Sequence, residues 1–139
     1  MVEFALILPL LLLLIFGILE FGRAINYWID ANHLANVAAR WAVVNNNPGT
    51  ADSQTLQQEI LDQADSDEMQ AAAQVCIEFQ DDTPEIGEWV EAKVTVDFDW
   101  MPYMDNVLGV GSTKLTGTAR MRLEQEPTEY DDLCESAPA

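Results

Sequence analysis

Hydrophobic and polar residues follow three successive patterns along this chain of 139 residues. An unbroken apolar run extends from Phe4 to Leu19, and behind it apolar residues recur every three or four positions as far as Val44. The recurrence is typical of a helix with one buried face. From about Val75 apolar and polar residues alternate, which is typical of strands in a sheet with one dry face.

The first two patterns predict one helix of about 43 residues, roughly 65 Å long, that ends at the turn-forming segment NNNPG. Its apolar run is long enough, at about 28 Å with its flanks, to cross a bilayer core of ~30 Å. Glu20 and Arg23 are expected to pair at its surface. The residues predicted to form the buried face of the second half are Phe21, Ile25, Trp28, Ala35, Val37, Ala38, Trp41, Ala42 and Val44.

The segment ADSQTLQQEILDQA predicts a short second helix, with Asp52 or Ser53 as its N-cap and Leu56 and Leu61 on its apolar face. The following DSDE is expected to close it. Three alternating segments then predict three antiparallel strands, at Val75–Phe79, 89–100 and 114–124.

The dry face of this sheet needs a cover, and the amphipathic half of the long helix is the available one. The predicted class is therefore α+β, a long N-terminal helix packed on a small antiparallel sheet. A helical turn is expected near residues 105–108. The chain divides into a hydrophobic helix (1–22), an amphipathic helix (23–46), a domain with a short helix and the sheet (47–126) and an acidic C-terminal tail (127–139).

The net charge of −18, from 24 acidic and 6 basic residues, argues against a nucleic-acid partner because phosphate binding needs clustered cations. Cys76 and Cys134 lack the spacing of a zinc site. In a domain outside the cytoplasm they would form a disulfide; the alternative is two free thiols.

Residues arranged for catalysis are not evident, so we expect no enzymatic activity and no cofactor. His33 is the single histidine and is interpreted as a surface or interface residue. The acidic clusters do not follow the EF-hand pattern, and we interpret them as solvated charge rather than a metal site.

The N-terminal stretch VEFALILPLLLLLIFGILEFGRA (Val2–Ala24) resembles the TadE family of pseudopilins, from the tight-adherence branch of type IV pilus systems. The later segments VTVDFDWMPYM and KLTGTARMRLE are also similar to that family, whereas Asn45 to about Asp82 carries no resemblance. The resemblance implies a pilin-like fold and, mostly, a minor filament component. It also implies processing by a prepilin peptidase, and we expect further residues to precede Met1 in the natural chain.

The resemblance gives Glu3 a role. Peptidase cleavage leaves a free α-amine, and the Glu3 carboxylate would neutralise such an amine in the same subunit or a neighbouring one. Because an unpaired buried charge costs several kcal/mol, this pair would fix the register of assembly. The residues predicted to carry assembly through helix packing are Phe4, Leu10, Leu11, Leu12, Leu13 and Leu14.

The sequence thus predicts a structural filament subunit with a role in adhesion or surface attachment. It would lie in the inner membrane before assembly and at the cell surface afterwards. Its partners would be copies of itself or other pilins, membrane lipid, the prepilin peptidase and the assembly machinery. The alternative is a monomeric, membrane-anchored binding module in which Glu3 merely lies among lipid headgroups.

Overall fold

The computed structural model describes residues 2–45, 55–81, 84–100, 111–128 and 134–136. Within these ranges the chain forms three helices and four strands. Their bounds in chain order are α1 Val2–Val43, α2 Leu56–Asp62, α3 Asp67–Ala72, β1 Ala73–Phe79, β2 Trp89–Asp99, β3 Ser112–Arg122 and β4 Glu135–Ser136.

The long helix α1 is continuous, as predicted, and includes Pro9. It ends next to the first residue of NNNPG, because Asn45 adopts a positive φ of 52° that interrupts helical geometry. The Asn45 N–H donates to the Ala42 carbonyl oxygen at 3.2 Å, and the Asn45 side chain bonds Thr128. The remainder of NNNPG lies outside the described residues.

The buried face of α1 differs in part from the predicted one. Phe21, Ile25, Trp28 and Val44 are exposed, whereas small residues face the sheet. Mostly small side chains occupy the face of α1 that packs on the sheet, because they let the helix axis approach the sheet closely. Bulky side chains would prevent that approach. The buried residues of this face are Ala24, Ala31, Leu34, Ala35, Ala38, Ala39, Ala42 and Val43.

The sheet is antiparallel with strand order β3-β2-β1-β4, and α1 packs mainly against β3 and β2. Val94 lies at the centre, with Val75 opposite it on β1 and Gly117 on β3. The three predicted strands and their dry face are confirmed. The buried residues on that face are Val75, Ile77, Val90, Ala92, Val94, Val96, Phe98 and Ala119.

The short helices begin at different residues from those predicted. Thr55, rather than Asp52 or Ser53, caps α2: its hydroxyl accepts the Gln58 N–H at 3.2 Å and the Gln58 side chain returns to the Thr55 N–H. Within DSDE, Ser66 accepts the Met69 N–H and starts α3 instead of only closing α2.

The α+β class is confirmed: a long N-terminal helix covers one face of a small antiparallel sheet, with α2 and α3 beside it. The predicted helical turn at 105–108 lies outside the described residues. Strand β4 was not predicted, because two residues are too short to show an alternating pattern.

Candidate assembly helix and its junction with the sheet domain

The first half of α1 projects from the sheet domain, and none of the described residues of the domain covers its side chains. The helix is long and apolar enough to cross a membrane, and none of its most apolar window is buried. Every predicted assembly residue other than Glu3 is exposed, from Phe4 to Leu14. Such a surface in water is unfavourable, so lipid or another protein must cover it.

Glu3 lies in the first turn of α1. Its side chain is outside what the structure describes, so its pairing with an amino terminus stays a prediction. The structure places Glu3 and the five leucines Leu10 to Leu14 on one continuous helix and brings no other part of the described chain over the leucines.

Polar and aromatic contacts fix α1 to the domain where it leaves the apolar run. The predicted pair is present: Arg23 Nη1 lies 3.0 Å from Glu20 Oε1. The Arg23 guanidinium also stacks over the Phe98 ring, 5.5 Å from its centroid. The Tyr27 hydroxyl and Glu68 Oε2 are 3.0 Å apart, which ties α1 to α3. These contacts set the direction in which the apolar half projects.

Asp30 is a buried carboxylate on the domain side of α1, only 7% exposed. Its Oδ2 accepts the backbone N–H of Asp65 at 3.3 Å, so it joins α1 to the turn before α3. Sequence reasoning missed this role. The available signal was an acidic residue in register with Ala31 and Leu34, on the face that turned out to be buried.

An open cleft of about 290 Å³ lies at the junction. Arg23 is the single cation among the described residues that line it, and Glu20 and Phe98 already engage its guanidinium; the other charged groups there are carboxylates. Among the described residues no cluster of His, Cys, Asp or Glu is arranged to hold a metal ion. The lining residues are Arg23, Tyr27, Glu68, Ala72, Asp97, Phe98 and Asp99.

Cys76 and Cys134 form a disulfide, which resolves the two alternatives that the sequence left open. The bond fastens the C-terminal segment to β1 and places β4 along its edge, with Ser136 opposite Gln74 and Glu135 opposite Val75. The disulfide therefore links two parts of the sheet domain, β1 and the C-terminal segment, and does not involve α1.

The outer face of the sheet carries cations paired with acids. Arg120 binds the Glu91 carboxylate on the neighbouring strand through Nε at 2.9 Å and Nη2 at 2.6 Å, and it stacks over Trp89 at 4.4 Å. Lys114 lies 3.8 Å from Asp97. His33 is exposed on α1, as predicted.

Comparison with known proteins gives one match. Residues 1–40 match the family described as TadE-like protein. No curated protein matches the chain, and no solved structure does. The matched residues cover nearly all of α1, including the apolar half and the junction at Arg23, and stop before the sheet domain. The N-terminal helix of this chain is therefore similar to that of TadE-like proteins, as the resemblance of Val2–Ala24 predicted.

Proposed function

We propose that this protein is a non-catalytic, pilin-like subunit of a surface filament, held in the inner membrane by α1 until it is assembled. The observation that carries the proposal is the uncovered apolar half of α1, which coincides with the TadE-like match. A helix of this kind serves as a membrane anchor in one state and as a filament core element in the other.

Assembly in this proposal depends on charge and packing rather than on hydrophobic burial. Lipid and a helical core are both apolar, so moving the leucines Leu10 to Leu14 from one to the other gains little. Selection then comes from close helix packing and from Glu3 pairing with an amino terminus, because an unpaired carboxylate in an apolar core costs several kcal/mol. A prepilin peptidase and the assembly machinery would supply the processing and the extraction from the membrane.

The sheet domain would lie on the outside of the filament. Its acidic surface, part of a net charge of −18, suits exposure to water and separates copies that are not yet assembled. The disulfide keeps the domain closed outside the cytoplasm, where reducing agents are scarce. Adhesion or surface attachment is the role that this arrangement would serve.

The test compares Glu3→Ala with wild type in the natural host. Filaments are sheared from the cells, imaged by negative stain and probed for the protein, while membrane fractions are probed in parallel. We expect Glu3→Ala to abolish the protein in the sheared fraction and to leave its amount in the membrane unchanged.

Glu78→Ala is the matched control, since it removes an exposed carboxylate on the outer side of β1, away from α1. It should assemble as wild type does. Wild-type protein that is absent from sheared material, or a Glu3→Ala variant that assembles normally, would overturn the proposal and favour a membrane-anchored binding module.

A further inference from the structure

The apolar surface of α1 does not end where the sheet domain begins. Four exposed residues continue it on a side of the helix that the sheet does not cover, and we name them the apolar stripe. Their spacing of four, three and one places them along one side of the helix, which adjoins the side that carries buried Ala24 and Ala31. The stripe consists of Phe21, Ile25, Trp28 and Ile29, which are 62%, 42%, 52% and 56% exposed.

The stripe ends where two amide side chains, Asn32 and Asn36, follow it along the helix. Asn32 follows Trp28 one turn later, and its Nδ2 donates to the Trp28 carbonyl oxygen at 2.7 Å. Asn36 repeats the arrangement on Asn32, also at 2.7 Å. The change from apolar to polar on this side of α1 therefore falls between Ile29 and Asn32.

On the side of α1 that faces the domain the polar surface begins at Glu20, about two and a half turns before the stripe ends at Ile29. Glu20 and Arg23 pair with each other on the side that faces the domain, and Arg23 stacks on Phe98. The polar boundary thus crosses the helix obliquely: it is near Glu20 on the domain side and beyond Ile29 on the stripe side.

Aromatic side chains gather at the same level of the domain. Tyr27 packs edge-on against Phe98 at 5.3 Å, and Phe98 against Trp100 at 5.0 Å. The Trp100 Nε1–H donates to the Thr113 hydroxyl at 2.8 Å. Tyrosine and tryptophan with one apolar and one hydrogen-bonding end favour the boundary between membrane and water.

We propose that before assembly α1 is tilted in the bilayer, with the apolar stripe immersed at the boundary of acyl chains and headgroups and the Tyr27–Trp100 end of the domain resting on the headgroups. The ligand of this surface is the bilayer itself. An oblique polar boundary matches a tilted helix, since the side that leans toward the membrane needs apolar residues further along the chain.

Helix length supports the tilt. From Phe4 to Ile29 the helix is about 39 Å long, whereas the bilayer core is ~30 Å thick. An upright helix would leave the stripe in water, and tilting is the usual response to such an excess of length. The inference rests on the membrane-held state in the proposed function and not on filament assembly.

The test uses the full chain reconstituted in phosphatidylcholine vesicles whose acyl chains carry bromine near the headgroup, at a protein-to-lipid ratio low enough to keep copies apart. Bromine quenches nearby tryptophan fluorescence. The Trp28 contribution is the difference between wild type and Trp28→Phe. The comparison is Trp89→Phe, because Trp89 pairs with Arg122 near the Val43 end of α1.

We expect the Trp28 contribution to lose at least half of its intensity in brominated vesicles and the Trp89 contribution to lose almost none. Ile29→Glu should reduce the loss at Trp28, and Asn36→Glu, on the same side of the helix, should not. Equal quenching of Trp28 and Trp89, or no effect of Ile29→Glu, would overturn the proposal. These vesicles contain no assembly machinery, so the outcome is independent of the Glu3→Ala experiment on filaments.

Discussion

Gly117 of β3 lies directly against the backbone of Ala31 on α1. A methyl group built on Gly117 would stand 2.5 Å from both the Ala31 carbonyl oxygen and the Asn32 nitrogen. Backbone atoms of a helix cannot move aside as the end of a flexible side chain can. This contact fixes how closely the helix that carries the assembly surface lies on the sheet.

Gly117→Ala is therefore expected to destabilise the domain. Overfilling a close-packed contact typically costs about 1–3 kcal/mol, and here the methyl group meets backbone. The measurement is urea unfolding of the full chain in detergent. Gly111→Ala is the matched control, because no described atom outside its chain neighbours lies within 4 Å of a Cβ at that position. Equal stability of the two variants would show that the helix moves away from β3 without cost.

Removal of the disulfide should lower stability. Cys76 and Cys134 are 58 residues apart, and closing a loop of that length contributes about 4 kcal/mol in the chain-entropy model. The double variant Cys76→Ser, Cys134→Ser should unfold at lower urea concentration than wild type. A reducing agent should shift wild type toward the double variant and leave the double variant itself unchanged. A reducing agent without effect on wild type would contradict the prediction.

Replacing the cap of α2 should have a smaller effect. Thr55→Ala removes the hydroxyl that accepts the Gln58 N–H, at an expected cost of about 1 kcal/mol. Thr55→Ser keeps that oxygen and should retain most of the stability. Urea unfolding of both variants distinguishes the loss of the hydrogen bond, which only Thr55→Ala removes, from the loss of the methyl group, which both variants remove. Equal losses of stability in the two variants would assign the effect to packing of the methyl group.

Asp30→Asn should stabilise the protein at neutral pH. Asp30 is buried, accepts one backbone N–H and forms no ion pair within the described part of the chain, so its carboxylate is poorly compensated. An amide oxygen accepts the same N–H at a lower desolvation cost, and we expect a gain of about 1 kcal/mol. Asp81→Asn, at an exposed position after β1, should change stability by less than about 0.5 kcal/mol. A loss at Asp30→Asn would identify a stabilising partner for the carboxylate.

Elements with a long sequence pattern could be predicted, and elements with a short pattern could not. Strand β2 alternates from Val90 to Phe98 without a break, so its buried face followed directly from the pattern. Strand β4 has two residues and is held by pairing with β1 and by the disulfide, neither of which leaves a local pattern. The cap at Thr55 was missed because several residues before Leu56 are equally good caps by type.

The buried face of α1 also could not be predicted fully from the local pattern. Phe21, Ile25 and Trp28 have the spacing of a buried face, and they do lie on one side of the helix. The sheet packs on an adjoining side, where alanines permit closer approach. Periodicity identifies an apolar side but does not state whether protein, lipid or another copy covers it.

By itself the sequence determined that this protein has one long helix with an uncovered apolar half, followed by an antiparallel sheet. Local periodicity is sufficient for both, since the repeat of a helix and that of a strand are imposed by backbone geometry. Only the tertiary structure decided which side of α1 the sheet covers, how Arg23 and Asp30 join the helix to the domain, and that Gly117 lies on Ala31. Those features depend on how closely residues far apart in the chain can approach, which no local pattern records.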